Sequence, residues 1–131
     1  MTKIADPRIT CVVAHLHQQL AEPIAIDDLA AHVNLSPTRF RELFTRQVGV
    51  DPSQYLQWLR LRRARLLIER TFLTVKQVMA LVGYSDPSHF SGDFRRLHGV
   101  SPSTLRSAGI RAPRPHEPDS SVGSAHGSDP F

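Results

Sequence analysis

Residues 26–44 of this 131-residue chain, IDDLAAHVNLSPTRFRELF, return with substitutions as residues 75–94, VKQVMALVGYSDPSHFSGDF. The VGVDP of residues 48–52 likewise returns as the HGVSP of 98–102. A unit written twice at this period is one supersecondary element used twice, so the fold must accommodate two similar subdomains. The offset is 49 residues from Ile26/Val75 to Leu35/Tyr84 and 50 from Phe40/Phe90 onward, which puts a one-residue insertion in the second turn.

Each copy reads as helix, tight turn, helix. Ile26, Leu29, Ala30 and Val33 follow the i, i+3, i+4, i+7 spacing of one helix face, as do Val75, Val78, Met79 and Val82. Asn34 and Gly83 then stand at equivalent places, and these are the residue types that most readily take the positive φ of a sharp helix end. Four dipeptides restart helices: Ser36-Pro37, Asp51-Pro52, Asp86-Pro87 and Ser101-Pro102. In each, a Ser or Asp oxygen can accept from free first-turn amides, while proline gives up no needed donor and has its φ preset. Asp51 with Gln54 and Thr74 with Gln77 have capping-box spacing. Gly49 and Gly99 fit the stop of each second helix.

Composition narrows the function classes. With 40% hydrophobic residues, 131 residues suffice for one small domain or two very small ones, not for a large pocketed enzyme. No stretch is long and apolar enough for a membrane span, and residues 1–8 lack a signal-peptide core, so a cytoplasmic protein is expected. Cys11 has no partner for an internal disulfide and, in the apolar run of residues 11–14, is expected to be buried and inert. From residue 108 Pro, Ser and Gly replace large apolar residues, so 108–131 is expected to be a disordered tail. Its His116 and His126 form no chelating cluster, and His15 and His17, two residues apart on a helix, do not share a face. No phosphate loop, nucleophile motif or paired-carboxylate signature occurs, so no enzyme, cofactor or metal is expected.

The formal net charge of +4 is unevenly placed: residues 36–107 hold 12 Lys and Arg against 5 Asp and Glu. A positive surface over a duplicated helix-turn-helix is what neutralising a phosphate backbone requires. Between the copies, residues 52–70 place Leu56, Leu59, Ala64 and Leu67 on one side and Arg60, Arg62, Arg63, Arg65 and Arg70 on the others. Arg60, Arg63 and Arg65 are available for phosphates or for ion pairing with Glu69. About 18 residues at about 1.5 Å each make a rod of roughly 27 Å. Such a rod can hold two reading helices about one turn of B-DNA apart, about 34 Å, so that a single chain enters successive major grooves. Phe40, Phe44, Phe90 and Phe94, paired at i, i+4, are assigned to the core, and Tyr55 and Tyr84 to structural roles.

The run from Leu59 through Arg63, Ala64 and Leu67, followed by 73–78, 82–91, Phe94-Arg95-Arg96 and 99–106, resembles the DNA-binding domain of AraC/XylS-type bacterial transcription regulators. The resemblance covers roughly residues 8–107. It implies an all-α domain of about seven helices: an N-terminal helix, a first helix-turn-helix at about 26–48, a connecting helix at about 52–70, a second helix-turn-helix at about 74–98, and a short last helix from Ser101-Pro102.

It also implies that the second helix of each pair, about 37–48 and 87–98, meets base edges of double-stranded DNA. The matching positions are Thr38, Arg41 and Glu42 in the first and Pro87, Ser88, Ser91 and Gly92 in the second. Arg41 suits guanine, Glu42 cytosine and Thr38 a thymine methyl. Gly92 departs from the family, many of whose members carry a long polar or basic side chain there, and glycine inside a helix costs about 1 kcal/mol against alanine. The first helix is therefore expected to dominate base readout, with phosphate contacts from Arg39, Arg46, His89, Arg95 and Arg96, and Ser88 also orienting the second helix. Further expectations are a regulator acting at the nucleoid as a monomer on promoter or operator DNA, and recruitment of RNA polymerase. The polar lead-in after Met1 favours a stand-alone chain. The competing class is a helix-turn-helix scaffold that binds protein and modulates another regulator.

Overall fold

The computed structural model describes residues 5–108. Among them the chain forms seven helices and no strand: α1 Pro7–Gln18, α2 Ile26–His32, α3 Pro37–Val48, α4 Pro52–Arg70, α5 Val75–Leu81, α6 Pro87–His98 and α7 Pro102–Ala108. The tail expected to be disordered lies outside the described residues apart from Ala108, which closes α7, and so do His116 and His126.

The start signals act as read. Ser36 accepts from Arg39 N, Asp51 from Ser53 N, Asp86 from Ser88 N and Ser101 from Thr104 N, each just before a proline. A fifth such start, Asp6-Pro7, opens α1, with Asp6 accepting from Arg8 N. Thr74 and Gln77 form the full capping box. Asp51 and Gln54 do not, because one Asp51 oxygen takes Ser53 N and the other takes the Arg41 guanidinium.

Both helix-turn-helix corners close alike. Asn34 at φ 61° and Gly83 at φ 90° sit in the left-handed region. Leu35 N reaches back to Ala30 O while Asn34 N reaches Ala31 O, and Tyr84 N and Gly83 N repeat the pattern onto Met79 O and Ala80 O. These 6→1 and 5→2 bonds satisfy the last carbonyls of α2 and α5.

One continuous core runs through both copies rather than two small ones. Phe40 and Phe44 of α3, Phe90 and Phe94 of α6, Ile9 and Leu16 of α1, and Ile68 of α4 are all essentially inaccessible. Helix α4 lies against α3, α5, α6 and α7. Surrounded in this way, it buries Tyr55, Trp58, Leu61 and Ile68 as well as the expected Leu56, Leu59 and Ala64, while Leu67 is only partly buried. The expected burial of Cys11 is overturned. Helix α1 turns Ile9, Val12 and Leu16 inward, at i, i+3 and i+7, and this leaves Cys11 exposed on the opposite face.

Candidate nucleic-acid interface

Helices α3 and α6 bury the same register. Phe40, Leu43 and Phe44 of α3 face inward, as do Phe90, Asp93 and Phe94 of α6. The opposite faces carry the expected contact residues: Thr38, Arg39, Glu42, Arg46, Pro87, Ser88, His89, Ser91, Gly92, Arg95 and Arg96 are exposed, and Arg41 is half-buried. Exposed Thr45, which no sequence motif singles out, shares a face with Thr38 and Glu42 at i, i+4, i+7.

The arginines differ in freedom. Arg41 bridges three helices, with one nitrogen 2.9 Å from Asp51 at the start of α4 and another 3.8 Å from Asp27 in the first turn of α2. Arg39 lies 3.8 Å from Glu42 on exposed surface, a pairing that water and salt weaken. Arg96 donates to Asp93 at 2.9 Å. The guanidinium groups of Arg46 and Arg95 have no ion pair or hydrogen bond among the described residues.

Asp93 is a carboxylate at a core position, where the repeat alignment has Leu43. That mismatch was the signal in the sequence that could have found it. Its oxygens accept from Gln57 Nε2 at 2.5 Å, Tyr84 OH at 3.1 Å and Arg96 at 2.9 Å, which ties α6 to α4 and to the preceding turn. Burial pushes the Asp93 carboxyl up, but the hydrogen bonds from Arg96, Tyr84 and Gln57 outweigh it and hold the group below the ordinary carboxylate range. Burial first, and then the adjacent Asp93, push the Tyr84 hydroxyl up to about 12, so at neutral pH it remains a donor.

A second tie crosses between the subdomains. Arg60 of α4 donates to Leu20 O at 2.6 Å and to Glu22 O at 2.8 Å, gripping the loop between α1 and α2. The same loop presses on the second corner: a Cβ at Gly83 would lie 3.0 Å from Ala21 O and 3.2 Å from Arg60 Nε. Arg60 is therefore a strut rather than a free cation. Arg65 pairs with Glu69 at 3.0 Å, and Arg62 lies over the Trp58 ring at 5.1 Å. Exposed Arg63 has no partner among the described residues. A cleft of about 390 Å³ opens beside the strut, with Ile24, Gln57, Tyr84 and His89 in its wall.

Two histidine rings, half-buried His98 and the more exposed His17, titrate low. His98 packs on Phe94 with centroids 4.4 Å apart and bonds to Leu61 O at 3.1 Å, and His17 bonds to Tyr55 OH at 2.9 Å. Burial holds His98 below the ordinary histidine value despite the Leu61 bond, and burial with Arg62 and Arg63 does the same for His17. A depressed folded-state value means that the unfolded chain binds more protons. The associated stability is complete above about pH 6.5 and is lost as pH falls through that value toward the folded-state one. The melting temperature is expected to drop between pH 7.5 and pH 5.5, and His98→Gln, which keeps a donor for Leu61 O, is expected to shrink the drop; an undiminished drop in that variant would remove His98 from the account.

Residues 29–108 match the helix-turn-helix domain family. The chain belongs to the AraC/XylS-type helix-turn-helix family. It is 35% identical over 101 residues to the HTH-type transcriptional regulator GbdR of Pseudomonas aeruginosa, covering 77% of this chain and 28% of that protein. It is 37% identical over 101 residues to the probable transcriptional regulator LumQ of Photobacterium leiognathi, covering 77% of this chain and 41% of that protein. The chain therefore spans well under half the length of these relatives. Among solved structures, the DNA-binding domain of AdpA in complex with a target DNA superposes with a TM-score of 0.74 at 33% identity, over 79% of this chain and 93% of that one. An AraC-type regulator from Chromobacterium violaceum superposes with a TM-score of 0.71 at 33% identity, over 77% and 90%. The fold is that of an AraC-type DNA-binding domain. No helix of the described residues is long and apolar enough to cross a membrane. None of their His, Cys, Asp and Glu side chains group in threes that could hold a metal ion.

Proposed function

We propose that this chain is a sequence-specific double-stranded DNA-binding transcription regulator, acting as a monomer with α3 and α6 in adjacent major grooves. The observation that carries it is the pairing of two equivalent helices, each with its apolar register buried and its polar register open to solvent, on one continuous core. In this reading Thr38, Arg41 and Glu42 meet base edges from α3, and Pro87, Ser88 and Ser91 from α6. Arg39, Arg46, His89 and Arg96 meet phosphates. Arg41 then reads a base only by loosening Asp51 and Asp27, an exchange of one charge-assisted pair for another. Contact with RNA polymerase belongs to the same proposal, because the relatives named above are transcription regulators.

Duplexes selected from a random pool and titrated by anisotropy across a salt series test this. The logarithm of affinity is expected to fall linearly with log salt, by about 0.9 for each phosphate neutralised and several units in all. A flat response, or no selected duplex, points instead to the helix-turn-helix scaffold as a protein-binding module.

A further inference from the structure

We infer that Arg95 is the principal base-reading side chain of α6, with guanine as its target. The inference rests on the duplex-binding reading above and moves Arg95 from the phosphate contact that the family resemblance implies to a base edge.

The exposed stripe of α6 runs through Ser88, Gly92 and Arg95, at i, i+4, i+7. Its middle position is bare. A Cβ built on Gly92 meets nothing within 4 Å, so there is open space where α3 carries Glu42. Side chains on a helix lean toward its N-terminus, so a residue covers surface over the turn before its own Cα. Arg95, about 4.5 Å along the axis from Gly92, therefore lies across the patch that glycine leaves empty.

The competitors on the same helix are weaker. Arg96 is tethered to Asp93 at 2.9 Å, whereas the Arg95 guanidinium is exposed and has no hydrogen bond or ion pair among the described residues. Ser88 and Ser91 are short groups that discriminate poorly between bases, while a guanidinium binds guanine O6 and N7 bidentately. The two reading helices then share one plan with the long group moved by a turn. Helix α3 has Glu42 in mid-stripe and the short Thr45 after it; α6 has glycine in mid-stripe and the long Arg95 after it.

The test uses the full chain and a duplex selected by the wild type, in which each base pair of the second half-site is replaced in turn. For the wild type, replacing one G·C pair is expected to lower affinity about tenfold or more. For Arg95→Ala that ratio is expected to fall close to one while penalties at the other positions stand. Arg96→Ala is expected to weaken binding to all duplexes alike and to reduce the salt slope by about one. The readout is a ratio between duplexes for one protein, so a partly unfolded preparation leaves it unchanged. The assignment is overturned if Arg95→Ala behaves as Arg96→Ala is expected to. A wild type that binds no duplex overturns the DNA-binding reading itself, and this assignment with it.

Discussion

Phe94→Ala is expected to remove about 3–5 kcal/mol of stability, the usual result of emptying a fully enclosed aromatic site. The ring is inaccessible to solvent, lies 5.7 Å from Phe90 and 4.4 Å from the His98 ring between centroids, and anchors α6 in the second subdomain. Small domains have about 5–15 kcal/mol in total, so the variant is expected to approach the unfolding threshold. Because one core runs through both copies, the loss is expected to appear as a single transition for the whole domain. Urea unfolding followed by circular dichroism measures it, and a midpoint lower by about 2 M is the expected size. Two separated transitions, with the first subdomain melting at its old midpoint, would show the core to be divided.

The second large effect is expected at Gly83. Alanine there must hold φ near 90° and place its Cβ 3.0 Å from the backbone oxygen of Ala21, which belongs to the other subdomain and can give way only by moving its backbone. Strain in the left-handed region alone costs about 1–2 kcal/mol. Gly49 supplies the control, because it has φ 103° with nothing within 4 Å of its Cβ position. Gly49→Ala is thus expected to lose about 1–2 kcal/mol and Gly83→Ala about 2–4 kcal/mol, the excess coming from the forced contact. The functional consequence is sharper than the stability difference. Pushing Ala21 away also disturbs the Arg60 grip on Leu20 and Glu22, so the spacing of α3 and α6 is expected to change. Gly83→Ala should therefore lose affinity for a two-half-site duplex while retaining what a single half-site gives. Equal stability losses at the two glycines would mean that the contact with Ala21 yields at no cost.

Much of this was legible in the chain because it depends on neighbours in sequence. Ser36, Asp51, Asp86 and Ser101 cap the helices that follow them through amides two or three residues away, so local chemistry suffices. The exposed register of α3 and α6 was legible for the same reason: once Phe40, Phe44, Phe90 and Phe94 are core, helical period leaves Thr38, Glu42, Ser88 and Arg95 outside. Charge was harder to read. The arginines of α4 look alike in sequence, yet Arg60 is a strut onto backbone carbonyls, Arg65 an ion pair with Glu69 and Arg62 a cap on Trp58. Cys11 failed for a related reason, since an apolar run such as residues 11–14 does not say which of its members faces the core.

From sequence alone came the duplication, the helix boundaries and the family likeness, all carried by bonds and periodicities that span a few residues. Tertiary structure alone decided which polar groups are occupied. Whether Arg41 meets Asp51, Arg60 meets Leu20 or Asp93 gathers Gln57 and Tyr84 depends on segments roughly 10 to 40 residues apart being brought within hydrogen-bond reach. A hydrogen bond exists only within about 3.2 Å and in good alignment, and packing over the whole chain sets such distances.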